Sequence, residues 1–378
     1  MKITGQKRRH FIVNILSAVP VSAFLVYFVW FLIQKEFRYD FLIQPFNSDV
    51  TGGFLQLKSS DYVWIAALKG VGNTLMLVGL SITIASVLGL FFGIMRLSKN
   101  LLLRGVARVY VEVLRNVPLL VLMFLFAFVI FAKLPGIQET AGIKGLILLS
   151  NRGVALPEFI FDPLAWGWLL VLLLIIFGVV MFGRWLNDIQ DNTGKRIFGF
   201  FWSVLLLIIL GFLSHRLMGK PVQVLSPVLD ISSLFPSYSQ GFVLNLGYLS
   251  ALLSLSLYFG AFIAEIVRGS IQAIPREQSE AAESLGLTSA QRLKLVILPQ
   301  ALRIMIPSLN NEYQNTNKDS SLAHFITYAE VVFVALQVAN NRGNLIELFL
   351  GVFLIYVVLN LIISSVMNLI NRLVQVVG

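Results

Sequence analysis

Long apolar runs constrain this chain more than any other feature, because each is long enough to cross a lipid bilayer. Hydrophobic residues make up 57% of the 378 positions and charged residues only 13%, against about 25% charged in soluble domains. A membrane-spanning helix needs about 20 apolar residues. The runs predict an all-α, polytopic membrane helix bundle with about eight spans, at 11–33, 66–95, 107–132, 163–183, 197–217, 240–267, 304–340 and 345–371.

Composition also excludes several kinds of chemistry. The formal net charge of +10 would suggest nucleic-acid binding in a soluble protein. In a membrane protein, basic residues instead anchor cytoplasmic loops and meet anionic lipid headgroups. The absence of cysteine excludes disulfides and thiolate chemistry. The three histidines, His10, His215 and His324, are far apart in the sequence and form no metal-binding pattern.

The first apolar run follows a basic tail, residues 1–10. A signal peptide cleaved after Ala23 is the alternative, but the apolar run continues past Ala23, which favours an uncleaved first span. With the tail in the cytoplasm, the inside loops carry more Lys and Arg than the outside loops, as membrane topology favours. This orientation predicts cytoplasmic termini and a cytoplasmic, strongly basic loop at 268–303.

The loop at 268–303 has the pattern of two short helices joined at a glycine. Pro275 suits the first turn of a helix, where its missing N–H is no loss. Gly286 can end that helix in the left-handed conformation. Thr288 and Gln291 have the spacing of a capping box that starts a second helix, which is predicted to stop before Pro299.

This loop resembles the EAA loop of ATP-binding-cassette importer permeases. The positions that match in order and spacing are Glu280, Ala281, Ala282, Gly286, Leu298 and Pro299, while Val296 stands where isoleucine is usual. The resemblance implies a type I permease core of five transmembrane helices. It also implies that the loop docks on a separate ATPase and couples ATP hydrolysis to transport.

The resemblance extends to the long permeases of acidic and general L-amino-acid importers, and it implies a division of the chain into four parts. Residues 66–133 and 240–378 resemble the two parts of the permease core. Residues 1–65 would add a transmembrane helix and an outward loop. Residues 134–239 look like an insertion that holds two extra transmembrane helices between irregular, Pro- and Gly-rich outward linkers.

The same resemblance implies what binds to the chain. The sequence contains no P-loop, G-x-x-x-x-G-K-[ST], so we expect a non-catalytic subunit without a cofactor, with ATP and Mg²⁺ held by a partner. The implied location is the bacterial inner membrane. The implied partners are a cytoplasmic ABC ATPase dimer, a second and shorter permease, an extracytoplasmic amino-acid-binding protein, an amino-acid substrate and membrane lipid, without nucleic acid.

A polar segment within the seventh predicted span is a candidate translocation path. Its candidate residues, joined by Glu265 from the sixth span, are Asn311, Glu312, Gln314, Asn315, Lys318, Asp319 and Ser320. A lipid-facing helix cannot carry so many polar groups. Asn311, Asn315 and Asp319 would stack at i, i+4 and i+8 along a path. The alternative is that 304–321 extends into the cytoplasm and the span is confined to 322–339.

Two charged pairs are predicted to be structural. Arg268 lies three residues after Glu265 on the same helical face, which favours an ion pair over substrate contact. Glu112 and Arg115 have the same spacing before Pro118, which is predicted to kink the third span. Gly89 and Gly93 form a small-xxx-small pattern that permits close helix packing.

Two other functions compete with an ATP-driven importer. An ion-coupled secondary transporter acting alone would explain the polar residues in the spans, but it leaves the 268–303 loop without a role, and no inverted repeat is visible. A non-transporting membrane scaffold would need a soluble domain or tail, and none is long enough.

Overall fold

The computed structural model describes residues 37–143, 145–193, 198–230 and 237–376, with single positions between 22 and 34. The described residues are mostly helical, at 73%. The α-helices are α1 (Val63–Arg96), α2 (Leu101–Asn116), α3 (Leu119–Phe124), α4 (Ala165–Thr193), α5 (Gly199–Leu217), α6 (Leu246–Gln272), α7 (Arg276–Ser284), α8 (Ser289–Arg292), α9 (Leu298–Asp319), α10 (Val331–Arg342) and α11 (Leu345–Val376). Short 3-10 helices include Asp40–Ile43, Ile137–Glu139 and Ser320–Ile326.

Within the described residues, five helices, α1, α4, α5, α6 and α11, are long and apolar enough to cross a membrane. Two helix pairs would each count as one bent span. They are α2 with Leu119–Lys133, bent by 106°, and Ser289–Ile326 with α10, bent by 49°. The described residues therefore offer five to seven spans against the eight predicted. The predicted first span, 11–33, lies outside the described residues apart from single positions.

The predicted third span, 107–132, is not a single straight helix. α2 ends at Asn116, Val117 is extended with φ −93° and ψ 131°, and Pro118 caps α3 with φ −60° and ψ 134°. Proline forces the preceding residue out of the helical region and cannot continue an α-helix. The predicted kink at Pro118 is therefore a sharp break between two helices.

The described residues of 141–244 contain eight short strands in addition to α4 and α5. They are β1 (Ala141–Ile143), β2 (Ile147–Ser150), β3 (Gly153–Leu156), β4 (Glu158–Phe161), β5 (Val222–Leu225), β6 (Val228–Asp230), β7 (Ser237–Gln240) and β8 (Phe242–Leu244). One antiparallel sheet has the order β1-β2-β3-β8, and β4–β5 and β6–β7 form two separate pairs. In the sheet, Val154 pairs with Leu244 across 90 positions of sequence. The prediction of irregular linkers was wrong, because strands of three or four residues are too short for their periodicity to be detected.

The chain divides into two compact units, each assembled from separate stretches. The first contains the described residues of Met1–Val78, Ser270–His324 and Ala329–Gly378. Its core includes Phe46 and Val338. Asn73 is fully buried and links separate stretches of this unit. Its side-chain amide donates to the Ala329 carbonyl at 2.7 Å, and its side-chain oxygen accepts from the Leu55 N–H at 2.7 Å.

The second unit contains Gly79–Gly269 and Phe325–Tyr328 where these are described. Here α1 packs closely on α6 at two glycines. A Cβ at Gly93 would lie 2.7 Å from the Cβ of Val267, and one at Gly89 would overlap the Ile263 side chain. The Gly89–Gly93 pattern therefore serves helix packing within this unit.

Replacing Gly89 by alanine is expected to lower the thermal unfolding midpoint of the purified chain. Alanine is the better helix former by about 1 kcal/mol, but the overlap with Ile263 adds overpacking of about 1–3 kcal/mol. Gly79→Ala in the same helix is the matched control, since a Cβ there meets nothing within 4 Å. The midpoint should fall for Gly89→Ala and stay or rise for Gly79→Ala; equal shifts in both variants would contradict the packing assignment.

Candidate functional site

The loop at 268–303 forms the two short helices that its sequence predicts, and the first of them is α7. Pro275 occupies the N-cap position, and Gly286 follows the helix with φ +76°. The Gly286 N–H donates to the Glu283 carbonyl at 2.9 Å, and the Leu287 N–H donates to the Ala282 carbonyl at 3.2 Å. This pair of bonds is a Schellman motif, which fixes the direction in which the chain leaves α7.

The second helix, α8, starts with the predicted capping box. The Thr288 hydroxyl accepts from the Gln291 N–H at 3.4 Å, and the Gln291 side chain accepts from the Thr288 N–H at 2.9 Å. The predicted stop before Pro299 was wrong. α8 continues through a π-helical turn, Leu293–Ile297, into α9. Pro299 sits in the first turn of α9, where a proline leaves no N–H unsatisfied.

The loop is braced internally and exposes an apolar side chain. Arg292 donates to Glu283 at 2.8 Å, which links α8 to α7. Ala282 is buried within the first unit, whereas Glu280 and Ala281 are exposed. Leu285, which the sequence analysis did not single out, is 81% exposed and lies one turn after Ala281 on the same face. Leu298 and Pro299 are half-buried where α9 begins.

The predicted path residues of α9 fall on two sides of the helix. Asn311 and Lys318 are exposed, and Lys318 donates to the Asn315 side chain at 3.2 Å. The other predicted positions are half-buried: Glu312, Gln314, Asn315 and Asp319. Ser320 is fully buried and donates to the Asn317 carbonyl at 2.7 Å, so it lies away from the exposed polar side.

Asn317 was missed by the sequence analysis although it lies inside the predicted polar segment. Its side chain is buried and donates to the Asn360 side chain of α11 at 3.1 Å. The neighbouring Thr316 hydroxyl is also buried and donates to the Glu312 carbonyl at 2.8 Å. Part of the polar character of this segment therefore serves helix packing, and Asn311 and Lys318 are its exposed polar residues, with half-buried Asn315 bonded to Lys318.

Glu265 pairs with two arginines in the second unit. Arg268 donates to it from Nε at 3.2 Å, as the i, i+3 spacing predicted, and Arg96 at the end of α1 also binds it. Arg96 was missed because it lies 169 positions away in sequence. With two guanidinium partners, Glu265 is held as part of an ion-pair cluster.

The predicted Glu112–Arg115 pair was wrong. Glu112 instead lies 3.7 Å from Arg108, one helical turn earlier. The Arg115 guanidinium lies over the Phe262 ring, 5.1 Å from its centre. A guanidinium gains attraction from the face of an aromatic ring, and this contact draws Arg115 towards α6 and away from Glu112.

Glu330 is a buried acidic residue that the sequence analysis also missed. It caps the start of α10, because its carboxylate accepts from the N–H groups of Val332 at 2.8 Å and Phe333 at 2.7 Å. Tyr356 of α11 donates to it at 3.2 Å. The sequence signal that could have identified Glu330 as a helix cap is a single acidic residue directly before an apolar run.

Glu330→Ala is expected to lower the thermal unfolding midpoint more than Glu330→Gln does. Alanine removes the cap and leaves buried donors unpaired, at a cost of about 2 kcal/mol, whereas glutamine keeps one acceptor oxygen. Exposed Glu139 provides the control, and Glu139→Ala should leave the midpoint unchanged. Equal midpoints for Glu330→Ala and Glu139→Ala would show that the cap contributes nothing to stability.

A family model described as the inner membrane component of binding-protein-dependent transport systems matches residues 205–376. That stretch includes α7, α8, the polar α9 and Glu330.

Three relatives align over most of their own length. The general L-amino acid transport system permease of Rhizobium johnstonii is 33% identical over 375 residues, which cover 95% of this chain and 91% of the relative. A putative amino-acid ABC transporter permease of Escherichia coli is 37% identical over 315 residues, covering 82% of this chain and 78% of the relative. The glutamate/glutamine/aspartate/asparagine transport system permease of Rhodobacter capsulatus is 31% identical over 401 residues, covering 95% and 93%.

Proposed function

This chain belongs to the inner-membrane components of binding-protein-dependent transport systems and is a permease subunit of an ATP-binding-cassette importer, and we propose that it moves polar or charged L-amino acids into the cell. The observation that carries this proposal is the α7–α8 loop, a braced helix pair with an exposed apolar side chain, in a chain that has no P-loop of its own. ATP and Mg²⁺ would be bound by a separate ATPase.

The α7–α8 loop is proposed to be the contact with that ATPase. Ala281 and Leu285 form an exposed apolar strip on α7, and Glu280 beside them offers a charged hydrogen-bond acceptor. Leu293 and Leu295 of the same loop are also exposed, and several exposed leucines on one loop suit a protein partner. The Schellman motif and the Arg292–Glu283 ion pair make the loop rigid. A movement of the ATPase would therefore displace α9 and would not be absorbed by bending of the loop.

The substrate class is inferred from the relatives and from α9. The names of the relatives specify general L-amino acids in one case, and glutamate, glutamine, aspartate and asparagine in another. α9 offers the exposed amide of Asn311, the half-buried amide of Asn315 and the exposed ammonium group of Lys318. Such groups suit the carboxylate and polar side chain of a small amino acid.

Transport would follow alternating access. ATP binding draws the two ATPases together, and the seated α7–α8 loops transmit this closure to the permeases, which then open outwards. Hydrolysis resets them to the inward-open state. ATP can shift this equilibrium only because it binds one conformation more tightly than the other. The chain itself performs no covalent step in this scheme.

The arrangement in the membrane is part of the proposal. Eight spans with both termini in the cytoplasm would place the α7–α8 loop inside, next to the ATPase, and the strands of residues 141–244 outside. Residues 66–133 and 240–378 would form the core, and 1–65 and 134–239 would be additions. The further partners would be a second, shorter permease and a secreted amino-acid-binding protein.

The proposal is tested by substrate-stimulated ATP hydrolysis in nanodiscs. The complex would contain this chain, the second permease, the ATPase and the binding protein, assayed with a panel of acidic, amide, basic and apolar amino acids. We expect stimulation by at least one polar or charged amino acid and none by leucine. Stimulation by leucine alone would overturn the substrate class, and the absence of any stimulation would overturn the amino-acid importer.

A further inference from the structure

Helix α2 carries an apolar stripe that the described part of the chain leaves uncovered. Its members are Leu102, Val106, Val109 and Val113, with exposures of 79%, 59%, 62% and 53%. They recur at intervals of four, three and four residues, which aligns them along one face of a helix. Four large apolar side chains in one row need a partner that is not water.

The rotation of α2 about its own axis is fixed by contacts within the second unit. Ala107 and Val111 are buried. The Tyr110 hydroxyl donates to the Leu257 carbonyl of α6 at 2.9 Å, and its ring stacks on Phe92 of α1 with 3.9 Å between centroids. The apolar stripe therefore faces away from the unit.

A third face of α2 is charged and predominantly basic. Arg104, Arg108 and Glu112 recur at i, i+4 and i+8, and all three are exposed. The 3.7 Å contact between Arg108 and Glu112 joins side chains that are 63% and 61% exposed, so it contributes little free energy, and Arg104 leaves this face with a net positive charge. Lys99 precedes the helix and adds a further exposed positive charge.

The direction of α2 suits a membrane surface. Asn100 starts the helix directly after Lys99, because its side chain accepts from the Leu102 N–H at 2.9 Å. At its other end α2 meets the apolar segment Leu119–Lys133 at 106°. If Leu119–Lys133 crosses the bilayer without α2, the 106° bend between them places α2 close to the membrane plane.

From the stripe, the charged face and the bend, we infer that α2 is an interfacial helix. Its apolar stripe enters the inner leaflet, and Arg104 and Arg108 bind the phosphate groups of anionic phospholipids. Helices in this position pair an apolar face with lysines and arginines on the polar face, and anionic headgroups attract each basic residue near the surface. The basic residues beside the stripe favour this occupant over a second permease.

The depth and surroundings of the stripe can be measured with spin labels, since the chain contains no cysteine. Single cysteines at Leu102, Val106, Val109 and Val113 would be labelled in the full importer in nanodiscs, with Arg104→Cys and Glu112→Cys as controls on the charged face. We expect the stripe labels to collide with oxygen and the control labels to collide with a water-soluble nickel complex. Immobile stripe labels shielded from both reagents would show a covering protein subunit, and stripe labels open to nickel would show a water-exposed face; either result overturns the inference.

Headgroup binding is tested by local lipid enrichment. A fluorescent label on Val109→Cys would be quenched by brominated phosphatidylglycerol or brominated phosphatidylcholine, each present at the same fraction in nanodiscs. We expect stronger quenching by phosphatidylglycerol. This preference should disappear in Arg104→Gln/Arg108→Gln and remain in the control Arg372→Gln, which removes an exposed arginine elsewhere. Equal quenching by both lipids before substitution, or a preference unaffected by the double substitution, would overturn the headgroup site.

Discussion

Gly286→Pro is expected to lower the substrate-stimulated ATP hydrolysis of the assembled importer by about tenfold or more. Gly286 adopts φ +76°, and its N–H donates to the Glu283 carbonyl at 2.9 Å. Proline has φ near −65° and no N–H, and such a mismatch costs about 3 kcal/mol or more. The Schellman motif must therefore open, and α7 and α8 lose their fixed angle.

The matched control for this substitution is Gly219→Pro. Gly219 has φ +75°, lies in open surroundings like Gly286 and donates its N–H to the Arg216 carbonyl at 3.3 Å. It lies between α5 and β5, on the side proposed to face outwards. Activity should survive at Gly219 and be lost at Gly286. An equal loss of ATP hydrolysis in both variants would show that any proline at such a position damages the backbone. Full activity in Gly286→Pro would show that the α7–α8 loop does not take part in coupling.

Leu285→Asp is expected to weaken binding of the ATPase to the permease by about thirtyfold. An anchoring apolar side chain at an interface contributes about 2 kcal/mol or more, and aspartate would bury an unpaired charge there. Leu285→Met keeps an apolar side chain of similar volume and should bind almost normally. Affinity is measured by titrating the ATPase onto the purified permeases in nanodiscs.

A negative charge placed elsewhere in the same loop is the control. It distinguishes the loss of a local contact at Leu285 from a general electrostatic effect of the added charge on ATPase binding. Ser289→Asp places the same charge at the first position of α8, where a carboxylate favours the helix. Leu285→Asp should lose binding while Ser289→Asp retains it. Normal affinity in Leu285→Asp would show that the exposed face of α7 is not the contact.

The α7–α8 loop could be predicted from the sequence because its signals act over a few residues. Pro275, Gly286 and the Thr288–Gln291 box each determine a local backbone geometry that neighbouring residues do not override. The same reasoning failed at Pro299, because a π-helical turn allowed a new helix to begin without an interruption.

Long-range partners could not be predicted in this way. Arg96 reaches Glu265 across 169 positions, and the Asn73 amide reaches the Ala329 carbonyl across 256. Neither spacing has a sequence signature. A spacing that permits an ion pair also does not require one, since the nearby Phe262 ring draws Arg115 away from Glu112.

The strands of residues 141–244 were missed for a different reason. Each contains only three or four residues, and several carry exposed apolar side chains such as Phe159 and Phe161. The alternation that identifies a half-buried strand needs more positions than these strands have. The pairing of β3 with β8 and of β4 with β5 across α4 and α5 becomes visible only in the folded chain.

The most direct test of the central claim is uptake of a labelled polar amino acid into proteoliposomes that contain the full importer and the binding protein. Vesicles would hold either ATP or a non-hydrolysable analogue, with proton and sodium gradients imposed or collapsed. The account predicts uptake that requires hydrolysable ATP and persists when both gradients are collapsed. Uptake that follows an ion gradient and ignores ATP would contradict it and identify an ion-coupled transporter.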